Sequence, residues 1–429
     1  MERSNQGACG VHFKLRKGID IDIGTAPQGV PLRRSVASVA VLGRDYPGVR
    51  ADLAVAPGDR VALGQTLFTD RRRPEMAIVA PAAGRISGIT RGPRRSIEAL
   101  MIAVDGASVA AVKFDTSAAL ADGAALRTVL LQSGAWSAFL TRPFGNIPDP
   151  AASPDAIFVT AMDSNPLAAD AGAVLAPLRE VFARGLDALT RLTAGPVFVC
   201  QAPGPPLATP GGRIRLASFE GPHPAGLAGT HIHHLMPVGA GRQVWQIGCQ
   251  EVAAIGHLLA TGQLMPTRVV SLAGPGIEAP ALVAAPIGAH LPDLVGQTRG
   301  DRVRLISGSV LSGREAAYLG RRDTQVTVLH GDTIVARPFW HRWLDWLPAA
   351  PATATLPMEA FERAMPLAIL PAPLMRALAV GDTETAVRLG CLELLEEDMA
   401  LLSWLCPGRA DYGALLREVL GQLSEEAAG

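Results

Sequence analysis

The chain predicts a multidomain fold of α/β plus β type, and three observations predict it. From residue 12 to about 105 the signals are short β-rich runs separated by Gly and Pro turns, such as Ser38-Val39-Ala40-Val41-Leu42-Gly43. Over 106–262 the texture changes to alternating helix and strand, which indicates a parallel α/β layer. Over 263–336 β character returns, and 337–429 is helical beyond a Pro/Ala/Thr linker at 348–355.

Residues 1–11 open Met1-Glu2-Arg3-Ser4-Asn5-Gln6, lack the apolar run of a signal peptide, and read as a flexible tail. Within 12–105, residues 55–68 read as strand, Pro57-Gly58 turn and strand, and residues 79–89 repeat the pattern. The halves meet at the hairpin Asp70-Arg71-Arg72-Arg73-Pro74-Glu75-Met76. Biotinyl and lipoyl carrier domains look like this, with a lysine on that hairpin for the cofactor. No lysine stands between Lys17 and Lys113, and an arginine cannot form the tethering amide. The unit is therefore expected to dock or brace rather than carry. The basic runs Arg71–Arg73 and Arg91, Arg94 and Arg95 read as a solvated rim, with anionic headgroups or an acidic partner as the functional alternative.

In 106–262 the periodicity predicts helices over 119–132 and 173–190, and buried strands over 156–160 and 196–200. Between the first helix and strand, residues 131–144 gather aromatics around an arginine. Packing explains them by default, and an amphipathic ligand such as a quinone would also suit them. Residues 220–231 form a Gly-rich loop after a strand-like 214–219. Its glycines could admit a phosphate, but Pro222 and Pro224 each remove a backbone donor, so a rigid turn is expected. His231, His233 and His234, with His223 nearby, could suggest a metal; an extended chain would put His231 and His233 on one face. No CxxC or HExxH supports that reading. In 263–336, strands are expected at 268–272, 302–306 and 325–329. Gly274-Pro275-Gly276-Ile277-Glu278-Ala279 matches a dinucleotide fingerprint, yet Pro280 and Pro286 leave no room for its helix.

The tail begins with Trp340-His341-Arg342-Trp343-Leu344-Asp345-Trp346, then helices are expected at 358–365, 373–380, 383–389, 392–404 and 412–426. Cys391 and Cys406 flank a helix-like stretch there, and two cysteines fifteen apart cannot hold an iron–sulfur cluster. The chain has 429 residues and balanced charge, with Lys+Arg and Asp+Glu at 39 each, so no global field favours nucleic acid. Its five cysteines lack paired spacing, which fits a reducing compartment. No run of about 18 apolar residues is present. No Ser/His/Asp or Cys/His nucleophile and no carboxylate pair stands out as an active site.

Several segments, taken in order, resemble the A subunits of the Na+-translocating NADH:quinone reductases. They are His12–Asp20, Leu42–Gly48, Ser133–Trp136 with Thr141–Phe144, Ala161–Asp170, Gly221–His233, Val269–Pro275, Gly390–Leu394 and Glu397–Gly408. The resemblance runs from residue 12 to about 426. It implies a lipoyl-like β domain over 12–105 and a Rossmann-like α/β domain over 106–262. A β-grasp, SLBB-like domain over 263–336 and a helical domain over 337–429 complete the implied architecture. The family is related to the flavin-binding subunit of complex I and the iron–sulfur subunit of the Rnf complex, which carry a G-x-G-G-A-G-F-P flavin loop. Here Gly221-Pro222-His223-Pro224-Ala225-Gly226-Leu227-Ala228 stands in its place, and the cysteine cluster is missing.

What the resemblance implies is a peripheral subunit without flavin, cluster or other cofactor of its own. It would dock on the cytoplasmic face of the bacterial inner membrane, against membrane and flavin-bearing partners that hold the flavins and iron centres. It would contribute to ubiquinone reduction coupled to Na+ export, with the isolated chain not catalytic. Trp136, Phe139, Arg142 and Phe144 are the expected quinone contacts. The competing expectations are a free-standing flavin or nucleotide oxidoreductase using 221–230, and an assembly scaffold with no ligand.

Overall fold

A computed structural model describes residues 2–5, 10–93, 96–106, 110–239, 241–300, 302–331 and 356–428. Cys9, Arg94, Arg95, the Trp340–Trp346 stretch and the linker at 348–355 lie outside the described residues. The chain opens with β1 (Glu2–Asn5), β2 (Val11–Lys14) and β3 (Leu32–Arg33). Then come β4 (Ser38–Leu42), β5 (Ala51–Leu53), β6 (Arg60–Val61), β7 (Thr66–Asp70), β8 (Arg73–Val79), β9 (Gly84–Arg91) and β10 (Ile97–Val104). These last seven form two small sheets, ordered β4-β10-β9-β6 and β5-β7-β8. Leu67, Met76, Leu100 and Ile102 fill the space between them and are fully buried. The β7–β8 hairpin turns at Asp70, whose buried carboxylate accepts from Arg73 Nε at 2.8 Å and from the backbone N–H groups of Arg50 and Arg72.

A seven-stranded sheet follows. Helix α1 (Gly123–Gln132), capped by the Asp122 carboxylate, leads to β11 (Leu140–Arg142) and β12 (Ala156–Ala161). Helices α2 (Ala171–Leu175) and α3 (Arg179–Leu189) precede β13 (Val197–Gln201) and β14 (Ile214–Glu220). Helix α4 (Ala228–Leu235), β15 (Val244–Gly248) and α5 (Cys249–Thr261) complete the layer. The strand order is β1-β2-β14-β13-β12-β15-β11, with β2, β14, β13, β12 and β15 parallel and the two edge strands antiparallel. Both faces are covered, as a parallel sheet requires. Ile157 and Val159 face Phe182, Val252 and Ile255, while Phe158 alternates to the face holding Phe13, Phe219 and Ile232. Helices α3 and α5 touch backbone to backbone, because a Cβ on Gly256 would overlap the Val181 carbonyl and one on Gly185 the Val252 carbonyl.

The third unit holds β16 (Arg268–Ala273), β17 (Ala281–Ala285), α6 (Leu291–Val295), β18 (Val303–Ser307), β19 (Arg314–Glu315) and β20 (Gln325–His330). Its sheet is ordered β19-β18-β20-β16-β17-β3. It docks on the preceding layer through Gln250, whose amide brackets the Val269 peptide, and through Ser271 Oγ donating to the Leu167 carbonyl. Last come α7 (Glu359–Ala364), α8 (Pro371–Val380), α9 (Thr383–Arg388), α10 (Glu396–Leu405) and α11 (Tyr412–Ala428). They enclose a separate core of Phe361, Leu374, Met375, Met399 and Leu416.

Three sequence expectations differ from this. Residues 1–11 are not wholly a tail: β1 pairs with β2, and β2 extends the seven-stranded sheet beside β14, where alternate side chains such as Phe13 are buried. The predicted helix over 173–190 is split into α2 and α3 by a 3-10 turn at Ala176–Leu178, since Pro177 lacks the N–H the helix needs. The histidine run at 231–234 is helical rather than extended, as part of α4.

Candidate functional site

In an open parallel sheet a ligand finds its crevice where the strand order reverses, outside the carboxyl ends of the strands. Here the chain moves from β12 outward to β13 and β14, then returns to place β15 on the other side of β12. The carboxyl ends of β12 and β15 accordingly open into a cleft of about 600 Å³. Its floor is Met162 and Asp163 after β12, with Gly248 and Cys249 where α5 begins. Gly248 caps α5 without a side-chain hydrogen bond, so the first turn of a 13-residue helix faces the cleft.

The cleft walls are charged. Glu396 and Glu397 of α10 line one side, and Arg417 holds Glu396 through two contacts of 2.6 Å. Burial, reinforced by neighbouring Asp398, pushes the Glu397 carboxyl up to about 7, against the lowering influence of Arg142. Burial also raises the carboxyl of Asp163, although its Oδ1 accepts from both the backbone and the side-chain amide of Asn165 at 2.8 Å. Opposite lie Asp45 and Arg322. Arg322 donates to the Asp45 carbonyl at 2.7 Å and to the Ser137 carbonyl at 2.9 Å, and burial lowers it to about 10.

Arg142 organises the wall below. Its side chain is fully buried, and its Nη1 meets Asp398 Oδ2 at 2.7 Å and the Glu393 carbonyl at 2.7 Å. Nη2 reaches Glu397 Oε1 at 3.2 Å, and Nε donates to Gln246 Oε1 at 2.9 Å. Asp398 also accepts the Leu395 N–H, so one buried arginine ties β11 to the start of α10. Phe144 is half-buried against the C-terminal helices, with Arg417 donating to its carbonyl at 2.6 Å. Trp136 and Phe139 have no exposed surface. They pack with Trp245 at ring distances of 5.3–5.6 Å, and Trp136 Nε1 donates to the Pro148 carbonyl at 3.0 Å. None of Trp136, Phe139, Arg142 and Phe144 lines the cleft itself; Ala138, Leu140 and Gly145, between and beside them, do.

The glycine-rich loop has spent its donors internally. The Gly226 N–H goes to Ser164 Oγ, the His223 N–H to Asp20 Oδ1, and those of Ala225 and Leu227 to carbonyls of the loop. The Asp398 carboxylate lies where a Cβ on Gly229 would be, which adds negative charge at the start of α4. A phosphate there would meet few free N–H groups and a carboxylate. The histidines diverge as well. His231 and His234, one helical turn apart, pack against Phe219, while His233 turns to Glu393 Oε2 at 2.6 Å. The Ala368 N–H donates to His233 Nε2, so Nδ1 is the donor to Glu393. Burial holds His223 down at about 4 and His231 at about 3. Among the described residues no group of three or more His, Cys, Asp or Glu side chains is arranged to hold a metal ion. Gly274–Ala279 is a turn between β16 and β17, with the Gly276 N–H bound to the Val328 carbonyl. Cys391 and Cys406 are buried among the C-terminal helices.

Sequence reasoning missed Asp163, Glu397, Asp45, Glu251 and Arg268. Asp163 could have been flagged two residues beyond a buried strand, and Glu396-Glu397-Asp398 as the acidic first turn of a helix. That Asp45, Asp163, Glu251 and Glu397 meet in one cleft is set by the topology alone.

Three family models match the chain: the NqrA N-terminal barrel-sandwich hybrid domain over residues 13–105, the NqrA second alpha/beta domain over 121–264 and the NQRA C-terminal domain over 269–317. Among curated relatives, the A subunit of the Na(+)-translocating NADH-quinone reductase of Pseudomonas aeruginosa PAO1 is 45% identical, over 96% of this chain and 100% of its own length. The protein of the same name from Cellvibrio japonicus is 42% identical, again over 96% and 100%. Among solved structures, an NAD+-reducing [NiFe]-hydrogenase in its H2-reduced state matches with a TM-score of 0.39 and 14% identity, covering 71% of this chain and 62% of that one. At that level it bears on neither fold nor chemistry.

Proposed function

The chain belongs to the NqrA family, the A subunits of the Na(+)-translocating NADH-quinone reductases, and on that premise we propose that it is a peripheral subunit of such a complex. The observation that carries this is identity of 45% over 96% of this chain and the whole length of a named relative. In this reading the chain works only within a multi-subunit oxidoreductase that passes electrons from NADH to ubiquinone and exports Na+. Among the described residues no helix is long and apolar enough to cross a membrane. The protein would then rest on the cytoplasmic face, against membrane partners that carry the flavins and iron centres.

A chain holding no redox group of its own is favoured by the engaged donors of the 221–230 loop and by the carboxylate set against its glycines. The second layer is taken as Rossmann-like and the six-stranded unit as a β-grasp. The five C-terminal helices are taken as a domain of their own, with boundaries as the sequence reading drew them except at β1, β2 and β3. Quinone, in this reading, meets the face built by residues 133–145. Trp136 and Phe139 hold that turn from behind, Arg142 fixes Glu397 in the cleft wall, and Phe144 seats the turn on the C-terminal helices.

The test is a tagged pull-down from host membranes in mild detergent, with co-purifying chains identified by mass. Recovery of polytopic redox subunits is expected. A chain that comes down alone, with extractable flavin, would establish the free-standing oxidoreductase instead. Within a correctly assembled complex, Trp136→Ala with Phe144→Ala should weaken quinone-dependent turnover, by about a hundredfold if the turn shifts by an ångström. Unchanged quinone kinetics would leave a scaffold role.

A further inference from the structure

A second chamber, of about 90 Å³, lies where the barrel-sandwich unit, the α/β layer and the six-stranded sheet meet. Its walls are mostly apolar, with Tyr46, Ile78, Ile255, Leu258 and Met265 among them. Four charged side chains reach it: Asp45, Glu251, Arg268 and Arg321. Arg268 is the informative one. Its side chain is only 8% exposed, and its Nη2 meets Glu251 Oε1 at 2.8 Å. Its Nε and Nη1 have no hydrogen-bond partner in the protein, nor does Nε of Arg321. A buried donor left unmet is costly, so such groups mark a place where an acceptor belongs.

The charges decide what kind of acceptor. Two guanidinium groups and two carboxylates line the chamber, one of the latter Asp45, whose Oδ2 accepts the backbone N–H of Arg321 at 2.9 Å. The lining is balanced before any ligand arrives, and an added anion would be left as net buried charge. An apolar slot with a few convergent donors and no net charge suits an uncharged ligand bearing carbonyl oxygen. The volume is below the roughly 150 Å³ of an engineered cavity that takes up benzene. It therefore admits the leading edge of a flat ring, not a whole prenylated molecule. Asp45, Ala138 and Glu251 also line the 600 Å³ cleft, so the two spaces share a wall.

We propose that this chamber receives the carbonyl edge of a quinone ring, with Arg268 donating to its oxygen and Glu251 holding the guanidinium in place. This rests on the quinone reading above and adds a location and a donor to it. Arg268 is thus a binding residue, and Glu251 a positioning residue.

The test uses the full chain and ubiquinone carrying a single isoprene unit, followed by calorimetric titration. Wild type should bind, and Arg268→Met should bind about tenfold more weakly, the loss expected for one buried hydrogen bond. Ala254→Leu, which narrows the slot without touching a charge, should weaken binding by a similar factor. Arg268→Met combined with Glu251→Gln removes both charges and guards against misfolding through an orphaned carboxylate. Decanoate, an anionic chain, should not compete. Equal quinone affinity in wild type, Arg268→Met and Ala254→Leu would overturn the chamber while leaving quinone binding elsewhere on the protein intact. Decanoate binding that depends on Arg268 would overturn the uncharged ligand class. No quinone binding by wild type, alone or in the recovered complex, would sink both the chamber and the reading beneath it.

Discussion

Arg142 concentrates much of the interface between the α/β layer and the C-terminal helices into one side chain. Removing one partner of a buried pair is costly because the other charge is left alone. Arg142→Met should therefore lower stability by about 3–5 kcal/mol in denaturant unfolding, and adding Asp398→Leu should restore part of the loss. Titration gives a second expectation at this scale. His223 and His231 are held neutral by burial, at about 4 and about 3, whereas the unfolded chain takes up protons near 6.5. Their contribution is present above 6.5 and is lost as pH falls toward 4, to the extent of about 3 kcal/mol for each. His231→Gln should flatten the acid limb of a stability–pH profile measured in urea. Glu397 works in the other direction. Its carboxyl is raised to about 7, so its contribution is present below 4.5 and is lost as pH rises through 7. Glu397→Gln should gain stability over wild type at pH 8 and not at pH 4. Arg142 was visible in the sequence as a polar residue among aromatics, but Asp398 lies 256 positions away and no local pattern links them.

Among elements, the α3–α5 contact is the most demanding. Gly256→Ala should force the helices apart and lower stability by about 3 kcal/mol, readable as a fall in denaturation midpoint without a change in slope. Short-range rules recovered the strands with a plain signal: β12, β13, β14, β16, β18 and β20 begin and end within two residues of expectation. They recovered the β7–β8 hairpin for the same reason, since alternation and turn residues are local. They failed at α4, where two prolines and several glycines suggested a loop. The helix begins only after the prolines, at Ala228, and is held by burial of Ile232 and His231. Residues 249–261 were not singled out as a helix, though α5 is the element whose first turn meets the cleft.

At the scale of the whole molecule, one continuous core runs from the barrel-sandwich sheets into the α/β layer, while the C-terminal helices keep a core of their own. Hydrogen exchange should show the strands of the first two units opening together. In Arg142→Met, protection in α8, α10 and α11 should fall first, with β12 and β13 unchanged; simultaneous loss everywhere would contradict a separate core for the C-terminal helices. The cleft itself was not legible, because its walls come from residues 44–47, 138–174, 226–251, 307–324 and 395–417. Only closure of the sheet brings them to one place. The same closure sets a clock for synthesis. Strand β2 can pair with β1 at once, but its other edge must wait for β14, some 200 residues later, and β3 must wait for β17. At about 5–20 residues per second, that first hairpin and β3 spend tens of seconds without the sheets they join. A nascent chain arrested at residue 105 would expose the edge of β2 for that whole interval, and a holdase that covers extended segments is the kind of chaperone this order of assembly calls for.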